Sequence, residues 1–115
     1  MRVEYDRGEF RFATIIGRTL EEKLKGKEDA ARKIRGSITL ECRDLEKRAT
    51  VFFEGDRVVV RDGGGGESLI SADFQTLNAL TFGRVGMLGI LKLILSGRLK
   101  INGMLFAMKF RKLLN

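Results

Sequence analysis

Between Val85 and Ser96 the chain carries a run that is apolar almost all the way round. On a helical wheel of about 100° per residue, Met87, Leu88, Ile90, Leu91, Leu93, Ile94 and Leu95 cover well over half the circumference, leaving Gly89, Lys92 and Ser96 as a narrow polar strip. Such a helix demands apolar cover on more than one side, and a chain of 115 residues has few other elements to provide it. The cover comes from the C-terminal helix, a partner subunit, a membrane surface or a bound apolar ligand, and which of these it is amounts to the functional question. Crossing a bilayer is excluded by length, because about eleven helical residues rise only ~16 Å against a hydrocarbon core of ~30 Å.

A chain of this length is predicted to form one domain, residues 1–115, that buries roughly two-thirds of its unfolded surface without help from disulfides or metal. Cys42 is the only cysteine, so no intramolecular disulfide forms, in keeping with a reducing compartment. The opening Met-Arg-Val-Glu-Tyr-Asp-Arg-Gly lacks the apolar core of a secretory signal, and the expectation is a soluble, cytoplasmic protein. The net charge of +7 points to an anionic partner. Acidic residues stop at Asp73; beyond it Arg84, Lys92, Arg98, Lys100, Lys109, Arg111 and Lys112 have no acidic neighbours in the sequence. The basic half is therefore also the most apolar half. That pairing suits a membrane-facing or lipid-handling surface better than a nucleic-acid groove, which interleaves its charges with aromatic stacking residues. Trp is absent and Tyr5 is the only tyrosine, so nucleic acid is a poor fit.

After a short polar lead, Phe12, Ile15, Ile16, Leu20 and Leu24 recur at intervals of three and four and predict an amphipathic helix from about Glu9 to Lys25. Ala30, Ala31 and Ile34 repeat the spacing weakly and predict a short second helix. From Ser37 the period falls to two. Ile38, Leu40 and Cys42 alternate with Thr39, Glu41 and Arg43, and Val51 and Phe53 with Thr50, Phe52 and Glu54, which predicts strands over 37–43 and 49–54. Gly55-Asp56 is a hairpin signal before a strand at Val58–Arg61, and Gly63–Gly66 is a permissive turn before another at Ser68–Ala72. These four are expected to form an antiparallel meander. The glycine run is no phosphate cradle, since Gly66 is followed by Glu67-Ser68 and a strand instead of Lys-Ser/Thr opening a helix. Ser71 is expected to cap a helix whose buried side carries Phe74, Leu77 and Leu80 and which stops at Gly83. Arg98–Asn102 alternates as a last strand with Leu99 and Ile101 inward. A closing helix then presents Phe106, Phe110, Leu113 and Leu114.

Catalysis finds little support. Without His, Ser–His and Cys–His nucleophile pairs and histidine metal ligands are excluded, and no cofactor is implied. Cys42 reads as a small apolar residue on a strand face. The acidic pairs Glu21-Glu22 and Glu28-Asp29 read as solvated surface charge. The protein is expected not to be an enzyme.

The order of a strand meander, the Ser71-Ala-Asp-Phe74 helix start, Gly83, an apolar helix, Ser96-Gly-Arg-Leu-Lys-Ile-Asn-Gly103 and a closing amphipathic helix resembles the sterol carrier protein type two family. The likeness runs from Lys33 to the C-terminus, while the N-terminal helix fits by position only. It implies an α/β (α+β) fold with a five-stranded, mostly antiparallel sheet covered by helices. An apolar tunnel between sheet and C-terminal helices would hold a fatty acyl chain, sterol, isoprenoid or quinone. Its lipid-binding positions would be Phe74, Leu77, Leu80, Phe82, Met87, Leu88, Ile90, Leu91, Ile94, Phe106 and Phe110. Arg98, Lys100, Lys109, Arg111 and Lys112 are the cations that would meet an anionic membrane or an acidic head group. The closing Lys-Leu-Leu-Asn is not a peroxisomal address of the Ser-Lys-Leu kind. The expected activity is binding and transfer of an apolar lipid. The alternative is a dimerisation or accessory module, in which a second copy or a partner enzyme covers the apolar helix.

Overall fold

The computed structural model describes residues 1–5, 11–81 and 85–114. Its elements follow in the order β1 (Arg2–Tyr5), α1 (Phe12–Lys23), α2 (Glu28–Arg32), β2 (Arg35–Cys42), β3 (Lys47–Glu54), β4 (Arg57–Asp62), β5 (Ser68–Ala72), α3 (Phe74–Thr81), α4 (Met87–Leu95), β6 (Leu99–Asn102) and α5 (Met104–Leu114). The expected helix start at Glu9, stop at Gly83 and tunnel residue Phe82 lie outside the described residues.

Period-two patterning builds the sheet. Ile38 of β2 sits opposite Val51 of β3, and Val51 opposite Val60 of β4; on the other side Leu40 pairs with Ile70 of β5, and Ile70 with Ile101 of β6. Alternation puts all of them on one face, where the helices cover them. Thr39, Thr50, Glu41, Ser71 and Lys100 fall on the opposite face. There Thr39 and Thr50 share a 2.8 Å hydroxyl bond, and Ser71 Oγ donates to Glu41 at 2.6 Å and accepts from Arg43 Nε at 2.9 Å. Val59 belongs to this second face and is nonetheless buried.

Among the described residues the sheet has six strands in the order β1-β4-β3-β2-β5-β6, and two of its five pairings, β1 with β4 and β2 with β5, are parallel. The sheet thus has one strand more than the five expected and stays mostly antiparallel, but the four strands expected as an antiparallel meander are interrupted by the parallel pairing of β2 with β5. The polar lead contributes an edge strand that its four residues are too short to signal by period. The chain also does not return from β4 to a neighbouring β5. Gly63 and Gly65, at φ +103° and +107°, help the chain cross to the far side of β2, where Gly66 N–H donates to Thr39 Oγ1 at 2.9 Å and Glu67 N–H to Ser37 Oγ at 3.0 Å.

Two glycines explain the run that closes α4 and opens α5. After α4, Gly97 at φ +79° lets its own N–H reach the carbonyl of Ile94 and that of Arg98 reach Leu93, the paired bonds of a Schellman ending. Gly103, at φ +72°, begins the turn into α5 where a Cβ would collide with the Ser68 side chain. At the sheet's centre Phe53 meets Phe106 and Phe110 of α5 edge-to-face, with ring centroids 6.0 and 5.9 Å apart.

Gly17, in the middle of α1, is buried with Tyr5 of β1 against it, and a Cβ there would overlap the ring. Gly17→Ala gains about 1 kcal/mol of helix propensity but is expected to lower stability by ~1–3 kcal/mol through overpacking. In a Tyr5→Ala background the same substitution is expected to be neutral or stabilising, which a double-mutant cycle by urea unfolding checks.

Candidate functional site

The amphipathic stripe of α1 and the apolar face of α5 lie on the same side of the sheet but do not close over it. α1 packs on β1, β3 and β4, α5 on β2, β5 and β6, and between them lies a cavity of about 140 Å³. Its floor is Leu40, Ile70 and Ile101. One wall is Phe12, Ile15, Ile16 and Thr19 of α1; the rest comes from Phe74, Leu77, Asn78 and Leu80 of α3, Ile90 of α4, and Ala107, Met108, Phe110, Arg111 and Leu114 of α5. Ile15, Phe74 and Asn78 line it and are also exposed, which puts its mouth between α1 and α3.

Of the tunnel positions carried over from the family resemblance, Phe74, Leu77, Leu80, Ile90 and Phe110 line this cavity. Phe74 was expected on the buried side of its helix; it is 45% exposed, at the mouth. Phe106 packs instead over Gly36 and against Phe53, and Ile94 is half-buried away from the cavity. Met87, Leu88 and Leu91 face solvent. The α4 helix is thus divided: Ile90 is 2% exposed, whereas Leu88 and Leu95 are 76% and 86% exposed. With Met104 and with Leu105, at 84%, they leave a set of large apolar side chains without cover among the described residues.

The cavity residues that the sequence does not assign to the site are Asn78 of α3, Ala107, Met108 and Leu114 of α5, and all those of α1 and of the sheet. Their periodicity was plain, but a stripe that packs and a stripe that walls a cavity look alike until the spacing between α1 and α5 is known.

Two carboxylates, Asp73 and Asp44, meet the N-terminus of α3. Asp73, not Ser71, caps this helix: its Oδ1 accepts from Thr76 N–H at 2.7 Å, while Ser71 is a buried strand residue. Asp44 Oδ1 accepts from Phe74 N–H at 3.0 Å and from the Cys42 thiol at 3.1 Å. The hydrogen bonds from Thr76, reinforced by nearby Arg98, hold the Asp73 carboxyl below the usual carboxylate range; those from Cys42 and Phe74 do the same for Asp44. Burial, with the bond to Asp44, pushes the Cys42 thiol up to about 11, so it stays protonated at neutral pH. Among the described residues no group of His, Cys, Asp and Glu is arranged to hold a metal ion.

The five expected head-group cations differ in setting. Lys100, Lys109 and Lys112 are exposed. Arg98 is tied to Asp73 at 3.8 Å and Thr76 at 3.4 Å. Arg111 is half-buried on the cavity wall and donates through Nη2 to the Val85 carbonyl, while its Nε is buried without a hydrogen-bond partner.

An open sheet with helices on one face, and an apolar cavity between them, is the architecture of a small lipid-transfer domain. The sequence pattern of the SCP-2 sterol transfer family matches residues 17–115, and the chain belongs to that family, whose members bind and transfer apolar lipids. No curated protein matches it in sequence. Among solved structures it is similar to a ubiquinone synthesis protein, UbiJ-SCP2, with a TM-score of 0.65 at 18% identity over 90% of this chain and 96% of that one. It is similar to a sterol carrier protein 2, with a TM-score of 0.58 at 17% identity over 84% and 88% of the two chains. It is also similar to part of the sec-alkylsulfatase Pisa1 from Pseudomonas sp., with a TM-score of 0.60 at 14% identity, covering 76% of this chain but only 13% of the enzyme. At these identities the likeness is one of fold.

Asp73→Ala is expected to cost ~1 kcal/mol at neutral pH through the lost cap. Because the folded-state carboxyl titrates below its unfolded value of about 3.9, the contribution is complete above that pH and disappears as pH falls through the folded value. Melting temperatures of the two proteins are therefore expected to converge in acid.

Proposed function

We propose that this protein carries a single flexible apolar tail, acyl or isoprenoid, in the cavity between α1, α3, α5 and the sheet, with residues 1–115 acting as one non-catalytic domain. The observation that carries this reading is the cavity itself, whose walls are apolar apart from Thr19, Asn78 and Arg111. A void lined this way is poorly suited to water, which needs two to four polar partners, and well suited to hydrocarbon, which gains about 0.8 kcal/mol per CH₂ transferred from water. Its volume narrows the ligand. About 140 Å³ is close to an apolar cavity of ~150 Å³ that takes one benzene ring. A rigid sterol nucleus requires α1 and α3 to spread, whereas a flexible chain can enter end-on through the mouth and extend out of it.

The exposed Leu88, Leu95 and Leu105, within a segment from residue 85 to 114 that contains Lys92, Lys100, Lys109 and Lys112 and no acidic residue, favour an anionic membrane as the docking surface. Each leucine that enters the acyl boundary contributes ~1.5–3 kcal/mol, and the lysines add attraction to anionic lipid.

Ala107→Phe fills the cavity from α5 and is expected to lower uptake of a fluorescent fatty acid by roughly tenfold or more, a loss of about 1.4 kcal/mol, with the circular dichroism spectrum retained. Unchanged uptake would place the ligand elsewhere. Leu88→Glu with Leu105→Glu is expected to abolish co-sedimentation with phosphatidylglycerol vesicles at low salt while leaving fatty-acid uptake intact. If the parent protein ignores vesicles and instead shows a concentration-dependent change in size that the double variant removes, the leucines form a subunit interface.

A further inference from the structure

The two ends of α4 are held very differently. At its back end the N–H groups of Gly97 and Arg98 bond to the carbonyls of Ile94 and Leu93, and the Gly97 carbonyl accepts from Arg43 Nη1 at 2.8 Å. Arg98 is tied to Asp73 and Thr76, and the chain then runs directly into β6, which pairs with β5. At the front, the cap residue Gly86 has no side-chain cap bond and open space around it. What reaches this end from elsewhere in the fold is Arg111 of α5, whose Nη2 donates to the Val85 carbonyl. Along the helix Ile90 is buried and Leu93 and Ile94 are half-buried, whereas Met87, Leu88, Leu91 and Leu95 are exposed. The front of α4 therefore has little apolar burial to lose by moving. Arg111 makes its contact at a cost, because its Nε is buried and donates to nothing. In water every N–H of a guanidinium finds an acceptor, so closing over Arg111 gives up hydration that the bond to Val85 replaces only in part.

We propose that Arg111 is a positioning residue that latches the front of α4, and that α4 is a lever that pivots at its Gly97 end and lifts Ile90 off the cavity when the bond to Val85 lets go. A charged donor on a carbonyl is strong enough to hold the closed state, while the unsatisfied Nε beside it keeps that state from being deep. Release returns the guanidinium to water and exposes Ile90, and the outer leucines are exposed in either position. The nine residues of α4 form an arm of ~14 Å, so a tilt of about 20° carries its front by ~4–5 Å. The purpose of the lever rests on the carrier reading above, since Ile90 is part of the cavity wall; its motion does not require a ligand.

The test measures distances between spin labels by double electron–electron resonance. One label is placed at Lys47→Cys on β3 and the other at Leu88→Cys, the front of α4, or at Leu95→Cys, its back; all three sites are exposed. Cys42 is buried and protonated at neutral pH, so it stays unlabelled. With Arg111 intact, the front is expected to show a second population displaced by up to ~4–5 Å and the back a single one. Arg111→Ala is expected to enlarge that second population at least ~3-fold, with Arg111→Lys, which keeps a donor, restoring part of the closed state. A front distance as narrow as the back one with Arg111 intact overturns the inference before any Arg111 variant is made. It is overturned equally if Arg111→Ala leaves the front unaltered, or broadens front and back alike, which is loosening of the whole helix. Uptake of a fluorescent fatty acid by the parent protein is followed in parallel: motion of the front without uptake supports the lever and sinks the carrier reading, and uptake with a rigid front does the reverse.

Discussion

The register of β2 is the constraint on which the rest of the structure depends. This strand pairs with β3 along its whole length and with β5 from Ile38 to Cys42, so its alternation fixes which face of the sheet is apolar. A slip of one residue would carry Ile38, Leu40 and Cys42 to the face that holds the Thr39–Thr50 and Glu41–Ser71 hydrogen bonds, exchanging two incompatible surfaces at once. Everything above the apolar face is a problem of covering it. The α1 helix takes the half over β4 and α5 the half over β5, anchored by Phe110 on Phe53. What the two helices fail to cover between them is the cavity.

The arrangement gives a short protein two apolar surfaces with different fates. Inside, Ile90 closes the cavity from α4; outside, Leu88 and Leu95 of the same helix remain uncovered among the described residues. A helix apolar round its circumference can serve a ligand and a lipid surface together, at opposite sides. The tight endings at Gly97 and Gly103 join the back of α4, β6 and α5 closely, so the cavity wall and the exposed leucines belong to one continuous segment.

The sequence was legible wherever structure is local. The periods of β2, β3, β5, α4 and α5 were read within a few residues of their observed ends, and Ser96–Gly103 identified the family because glycines at positive φ mark a turn geometry that other residues strain to adopt. Reading failed where placement is set by long-range pairing. Nothing in Arg2–Tyr5 announces an edge strand, because its partner β4 lies more than fifty residues away and a parallel pairing leaves no hairpin signal. The same cause hides the crossover to β5, and Ser71 resembles a cap because the strand continues through the very residues that look like a helix start.

By itself, then, the sequence determined the elements other than β1, the apolar faces of the central strands and of α1, the family and the need for apolar cover around Met87–Leu95. These follow from side-chain periodicity and backbone conformational preference, which act over a few residues. Only the tertiary structure decided that α1 is a cavity wall, that Leu88 and Leu91 look outward while Ile90 looks in, and that Arg111 stands apart from the other cations with a buried, unpartnered donor. Those outcomes depend on the distance between elements far apart in the chain, and a pattern of residue types carries no measure of that distance.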